Sequence, residues 1–422
     1  MTAMSRLNRE LSLLQGIGLL TTSLLGTGIF VVPAAAAAMA GEASLWAWPL
    51  LTLLVLPVAF TFAKLGQQYP HAGGAPSLIG RAFGLSMERS VALLFLAVIP
   101  VGLPAALKMT SGFWYAIAPI TPTGDMAIQL LTLGLMLVLG QKPARASGQV
   151  QTAIALIIIA TVASFWWFGD LTDNTRDLMP ISGTQWSAIP AALALMFWCF
   201  VGLEAFTHMG EEFKNPQRDF PLALLLGVLL AGAVYWACSL AVVNFGTYGD
   251  HQSNTTSLPQ LVALLWGEHW RWLAAAIGYL ACFASINIYL QGFARLLWSL
   301  ADEGKLPASL AQRNRHGVPA RAFNLVVFAC AVCALAGWSW GMSIEELMRY
   351  ANGNFILVYL LSMAAGCVLL RGWARWMALL ATLLCGLVLM LLGEQMLYAL
   401  GVLVFFLLSG RINIWRQARM AR

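Results

Sequence analysis

Charge is what this chain has least of: Asp, Glu, Lys and Arg make up 10% of its 422 residues, against about 25% in a soluble domain. That scarcity excludes an ordinary soluble globular domain as the body of the molecule. Histidine is rarer still. His71, His251, His269 and His316 lie in connecting stretches, and His208 ends an apolar one. Glu204 is the one acid deep inside an apolar stretch. A membrane-embedded enzyme needs paired acids, a His–acid set or metal ligands converging on one face. The sequence offers none of these, so it reads as no enzyme, with no cofactor and no metal. A polar-lined pore would show in several apolar stretches and does not, which argues against a channel. Cysteines number seven and all sit in apolar segments. Cys330 and Cys333 form a C-x-x-C, but no histidine or second thiol pair accompanies them, and small buried packing residues are the expectation.

What stands in place of charge is apolar: 60% of the residues are hydrophobic and the mean hydropathy is +0.76. Hydrocarbon cannot satisfy backbone polar groups, so each crossing must be a helix of ~20 apolar residues or a strand of a closed barrel. The apolar runs are long and do not alternate, which points to helices. Residues 12–40 come first, far longer than the ~7–15 residues of a signal-peptide core, with Gly26-Thr27-Gly28 in the middle and Pro33 beyond. Further crossings are expected at 44–69, 87–116, 125–140, 148–168, 189–209, 222–244, 272–300, 322–338, 344–370, 375–392 and 395–409, twelve in all. Short helices are expected at 78–83, after the Pro70–Pro76 turn, and at 258–266.

Positive charge sets an orientation. With the amino terminus inside, 20 of the 24 Lys and Arg fall on the cytoplasmic side, the bias the positive-inside rule describes. Both termini are therefore expected in the cytoplasm. The net charge of +6 comes from these basic loops and implies no nucleic-acid partner.

The stretch from Met196 to Glu204 holds a glycine, two bulky aromatics and a carboxylate inside an apolar segment. A carboxylate near the bilayer centre costs ~2.5–3.5 kcal/mol, so it is read by default as functional; capping a neighbouring helix or pairing with a distant cation is the plainer alternative. Breaks are expected here, around Cys199–Gly202, and at Gly26-Thr27-Gly28. They start the first and second sets of five crossings, the layout of an inverted-repeat transporter with its site between the breaks. An unwound helix leaves free N–H groups at the start of its second half. At Gly28-Ile29-Phe30 these suit a carboxylate, and glycine lets the ligand reach the backbone. Free carbonyls around Phe197–Phe200 suit an ammonium group. An amino acid carries both charges. Taken alone, Gly26 and Gly28 suit close helix packing better; their placement opposite the second break is what favours the transport reading.

Gly26-Thr27-Gly28-Ile29-Phe30, the Gly73-Gly74 turn, Phe200-x-Gly202-x-Glu204, Glu212-x-Lys214-Asn215-Pro216-x-Arg218-x-x-Pro221 and Asp302-Glu303-Gly304-x-Leu306-Pro307 together resemble the amino acid–polyamine–organocation transporters. The resemblance covers essentially the whole chain and is greatest to bacterial members that export methionine and branched-chain amino acids. It implies an all-α polytopic membrane protein of twelve transmembrane helices. A five-plus-five inverted repeat (LeuT-like), with helices 1 and 6 broken and alternating access, comes with it. The divisions would be 1–168, 169–370 and 371–422. It also implies a multi-pass bacterial inner-membrane protein with an amino acid, protons and the lipid bilayer as its partners. Carried residue by residue, it sets Leu24, Thr27 and Gly28 beside the ligand backbone, with Gly26 and Ile29 flanking them. Trp198 becomes a lid, Val201 and Gly202 the floor, Glu204 the coupling or gating acid and Tyr289 a substrate-facing aromatic. The departure is on the fifth helix, where some proton-coupled relatives have a lysine and residues 148–168 carry no charge.

Leu24, Phe197, Trp198, Phe200, Val201 and Tyr289 are apolar or aromatic, which suits methionine, leucine, isoleucine or valine better than a cationic amino acid. Export in antiport with protons is the expected activity; a proton- or sodium-coupled importer and an exchanger are the alternatives. Lys108 follows Pro100 and Pro104, which should kink the third helix toward the site. It either pairs with Glu204 and gates the pathway, or snorkels toward the outer end ~12 Å away at 1.5 Å per residue. Ser285 and Asn287 suit either a sodium ion or a neighbouring helix. Tyr350-Ala351-Asn352-Gly353-Asn354 suggests a loosened turn in the tenth helix, or bonds to its neighbours. Glu211, Glu212, Lys214, Arg218 and Asp219 form either an inner-gate charge network or a solvated cluster.

Overall fold

Backbone groups that cannot reach water must be paired within their own segment, and the computed structural model answers with helices. It describes residues 12–69, 74–141, 147–171, 185–206, 213–302, 304, 306–314 and 318–420. Several expectations lie outside these residues: Pro70, His71 and Gly73, the basic Arg6, Arg9, Lys142 and Arg145, the acidic Asp173 and Asp177 with Arg176, and His208, Glu211, Glu212, Glu303, Lys305, Arg315 and His316.

The first crossing is α1 (Leu13–Leu25) followed by α2 (Gly28–Ala40). Ser12 and Gln15 close a capping box that fixes where α1 begins. α1 ends at Gly26, and α2 sets off at 48° to it. α3 (Ala43–Gln68) and the short α4 (Gly74–Phe83) follow. The third crossing is divided into α5 (Leu85–Leu96) and α6 (Gly102–Gly112). Pro100 has no N–H to continue the ladder, so Ile99 turns to the Leu96 carbonyl, and Val101 and Gly102 both turn to that of Val98. Next come α7 (Pro122–Leu139), started by a Thr121 cap and Pro122, and α8 (Ser147–Phe168).

The second break is sharper than the first. α9 (Ile189–Met196) tightens into a 3-10 turn at Phe197–Phe200, Val201 is extended, and Gly202 takes φ +117, a region glycine enters without strain. α10 (Leu203–Phe206) then resumes. α11 (Asp219–Phe245), α12 (His251–Thr255), α13 (Ser257–Trp266), α14 (Arg271–Asp302), α15 (Ala320–Ser339), α16 (Ile344–Leu369), α17 (Trp373–Leu391) and α18 (Met396–Met420) complete the described chain. Among the described residues, seven helices are long and apolar enough to cross a membrane, or eight with the bent α1–α2 pair counted as one span. Large apolar side chains such as Phe328, Leu383 and Phe405 are exposed on the outer helices, as lipid contact requires. α16 runs unbroken through Tyr350–Asn354; the loosened turn expected there is absent.

α3 and α11 pack together at the centre, with α1 against α11 and α9 against α3. The stretch Ala34–Ala37 of α2 is buried, small enough for α9 and α11 to approach closely. Trp48 of α3 stacks on Tyr235 of α11 at 4.7 Å, and its indole N–H donates to Ser239. Other contacts come in matched pairs. α8 packs on α1 as α16 does on α9; α6 meets α16 as α14 meets α8; α4 lies on α5 and α16 as α13 lies on α14 and α8. α17 packs on α3 and α16, and α18 on α5 and α16.

Candidate functional site

The two breaks face each other across a shared cavity. Ser23, Leu24, Thr27 and Gly28 line it from the first break, and Trp198 and Val201 from the second. The α5–α6 wall adds Val98, Gly102, Leu103 and Ala106; α14 adds Ser285, Ile286, Tyr289 and Phe293; α16 adds Phe355. No lining residue is charged. The indole N–H of Trp198 donates to Thr27 Oγ1 at 3.1 Å, so one hydrogen bond ties the breaks together over 171 residues of sequence.

The backbone ends at the first break differ in availability. α2 starts at Gly28, so its first N–H groups have no partner inside the helix and carry the positive end of its dipole. The carbonyls at the end of α1 are already engaged: the Tyr235 hydroxyl donates to Leu24 at 2.8 Å and lies 3.4 Å from the Leu25 oxygen. That same hydroxyl and Cys199 Sγ crowd the place where a side chain on Gly28 would sit. At the second break two of the carbonyls read from sequence as free, around Phe197–Phe200, are also occupied: the Val201 N–H donates to that of Trp198 at 3.2 Å and the Tyr359 hydroxyl lies 3.1 Å from the Phe200 oxygen. Just before them, Asn352 of α16 donates to Ala194 and Leu195 at 2.8 and 3.2 Å.

Glu204 sits in the first turn of α10, 2% exposed. Its Oε2 accepts from the Gly202 N–H at 3.0 Å and from the Tyr359 hydroxyl. Tyr359 is held between Phe62 and Phe197, with ring centroids 5.3 and 5.6 Å away. A side chain on Gly202 would meet Ser23 Oγ at 3.0 Å and the Tyr289 hydroxyl at 3.5 Å, so the backbone beside the acid borders two groups of the cavity wall.

The chain matches the amino acid permease family over residues 11–415. It belongs to that family. The permease is 48% identical over 397 residues, 94% of this chain and 95% of the other, to the L-methionine/branched-chain amino acid exporter YjeH of Escherichia coli. It is 26% identical over 400 residues, 93% of each chain, to an uncharacterized amino acid permease, YecA, of Bacillus subtilis. A cadaverine/lysine antiporter of E. coli is 24% identical over 373 residues, 82% of this chain and 77% of its own. This membrane permease is a transporter and not an enzyme.

Of the residues singled out from sequence, Leu24, Thr27, Gly28, Trp198, Val201 and Tyr289 line the cavity. Gly26, Ile29, Phe197, Phe200, Gly202 and Glu204 are not part of that lining. Gly26 is backed by Ser285 Oγ, 3.0 Å from where a side chain would begin, and Ser285 itself reaches the cavity. Lys108 lies away from that lining. Its ammonium donates to the Met342 carbonyl just before α16, and no described hydrogen bond or ion pair joins it to Glu204. Among the described residues the one ion pair is Arg271–Glu268 at 2.8 Å; Asp219 instead accepts from Asn215, and neither Lys214 nor Arg218 pairs with it. Sequence reasoning missed Tyr235 and Tyr359, each a hydroxyl in a largely apolar helix. It also missed the α5–α6 wall as a lining, although Pro100 and Pro104 signalled a bend there.

Proposed function

We propose that this permease carries neutral hydrophobic amino acids, namely methionine, leucine, isoleucine and valine, and exports them in exchange for protons. The observation that carries the reading is the cavity itself: it lies between two helix breaks and its lining is uncharged. The substrate's carboxylate would take the free N–H groups of α2 at Gly28. Its ammonium would face the negative end of the first half of the second broken helix, at Phe197–Phe200. Nothing on the wall is left to pair with a charged side chain, whereas Val98, Leu103, Ile286, Phe293 and Phe355 favour an apolar one. The substrate class of the E. coli exporter, similar along nearly its whole length, supports the same choice.

Proton exchange would run through Glu204. The Tyr359 hydroxyl has one proton and two oxygens in reach, those of Glu204 and Phe200. With Glu204 ionised, the proton goes to the carboxylate. With Glu204 protonated, the acid donates to Tyr359 and the hydroxyl turns to the Phe200 carbonyl. The charge state of the acid is thereby relayed to the break that carries Trp198. Protons run into a bacterium, so antiport drives the amino acid out.

Twelve crossings fit this reading, with 1–168 and 169–370 as inverted repeats, 371–422 added, and both termini cytoplasmic. Support comes from the matched contacts. Exchanging α1–α2 with α9–α10, α3 with α11, α4 with α13, α5–α6 with α14 and α8 with α16 carries one set of packed pairs into the other.

Binding to the purified protein tests the substrate class. Methionine and leucine are expected to bind and to displace each other, with lysine failing to compete; lysine competing on equal terms refutes it. Trp198→Ala removes the lid and its bond to Thr27. Methionine affinity is expected to fall about 30-fold, the scale of losing a tryptophan hot spot, and selectivity among side chains to change. Affinities within twofold of wild type would make Trp198 a packing residue.

A further inference from the structure

The break between α5 and α6 leaves the Ala97 carbonyl outside its own helix, because the Val101 N–H has turned to Val98. Away from water that oxygen needs partners from elsewhere. It takes two, from two other helices: Asn354 Nδ2 of α16 at 3.1 Å and the Tyr398 hydroxyl of α18 at 2.9 Å. Asn354 is fully buried, and the Tyr398 ring is fixed edge-on against Tyr350 at 5.8 Å. The residue after Ala97 is Val98, where the cavity wall begins. Val98 Cγ1 lies 2.6 Å, and the far edge of the Trp198 indole 3.9 Å, from the point where a side chain on Gly102 would start. Wall and lid therefore come close to each other at Gly102.

We infer that Tyr398, acting with Asn354 on the Ala97 carbonyl, is a positioning residue that holds the α5–α6 wall against the Trp198 lid. The helix α18 lines no part of the cavity, so it acts on substrate recognition through one backbone oxygen. The inference rests on the proposed reading for its substrate, but the clamp can be measured without any substrate.

Tyr398→Phe is the informative change, since it removes the hydroxyl and keeps the ring on Tyr350. Two readouts are taken on the full-length protein in lipid nanodiscs: hydrogen exchange of amides 98–103 (Pro100, which has no N–H, excepted), and affinities for methionine and valine. Amides 98–103 are expected to exchange faster while those of α3 and α11 stay as in wild type. Affinity for methionine is expected to fall about fivefold, the scale of one lost hydrogen bond, and the methionine-to-valine ratio to shift. Asn354→Leu added to Tyr398→Phe should cost more than the two changes summed, because one oxygen then loses both donors. Leu397→Ala, on the exposed side of the same turn, should leave both readouts unchanged. Unchanged exchange at 98–103 in Tyr398→Phe overturns the clamp. Faster exchange with both affinities and their ratio intact overturns its role in recognition. Should wild type bind neither amino acid, the substrate reading fails, and the exchange at 98–103 still decides the clamp.

Discussion

Gly28→Val is expected to abolish transport of methionine and lower its affinity at least about 100-fold. Hydrogen bonds to a charged group contribute about 1.5–3 kcal/mol each, and the branched side chain would stand between the ligand carboxylate and the first N–H groups of α2. It would also collide with the Tyr235 hydroxyl and Cys199 Sγ, so a damaged fold has to be separated from a blocked site. Gly28→Ala combined with Tyr235→Phe does this, since the second change withdraws the oxygen that the new carbon meets. If the block is at the ligand, the pair inserts and remains monodisperse but still binds methionine poorly. Wild-type affinity in the pair would mean that Gly28 only makes room for Tyr235, and the carboxylate would have to bind elsewhere.

Glu204→Gln should separate binding from coupling. The amide matches the protonated acid in shape and can donate, but it cannot release a proton. Methionine binding and passive exchange are expected to stay within about threefold of wild type, because Glu204 is not part of the cavity lining and the loss is at most about one neutral hydrogen bond. Response to a pH gradient is expected to disappear. Tyr359→Phe should weaken that response while Glu204 is intact, as the relay loses its hydroxyl. A Glu204→Gln protein driven by the gradient as wild type is would remove Glu204 from the coupling step and turn attention to Lys108 or to Ser285.

Much of this arrangement was legible in the sequence. A Gly-Thr-Gly inside a long apolar run suits either close packing or a break, and the structure opens the helix at Gly26 and Thr27. Gly202 beside Glu204 gave the second break, where the chain needs φ +117. The apolar runs gave the helices, including α4 and α13, because periodicity and length are local properties. Bonds between distant segments were not legible. Thr27 and Trp198 were each read toward a ligand, yet they also bond each other. Tyr235, Tyr359 and Tyr398 look like ordinary core tyrosines until the carbonyl each one serves is known. Lys108 drew attention because an intramembrane charge is expensive. The prolines before it were the better signal: they break the helix so that Val98, Gly102 and Leu103 reach the cavity, while Lys108 turns to Met342. At the C-x-x-C both thiols are free, consistent with the packing role expected of them.

Efflux of labelled methionine from proteoliposomes holding the purified wild-type protein bears most directly on proton-driven export. Vesicles are preloaded, and the medium on the face that corresponds to the cell exterior is made acidic or left equal to the lumen. Efflux is expected to saturate with internal methionine, to accelerate when protons can run inward, and to continue against an outward excess of unlabelled methionine while the gradient lasts. Efflux that is the same with and without the gradient, or that needs external amino acid to proceed at all, would contradict proton antiport and leave an exchanger in its place.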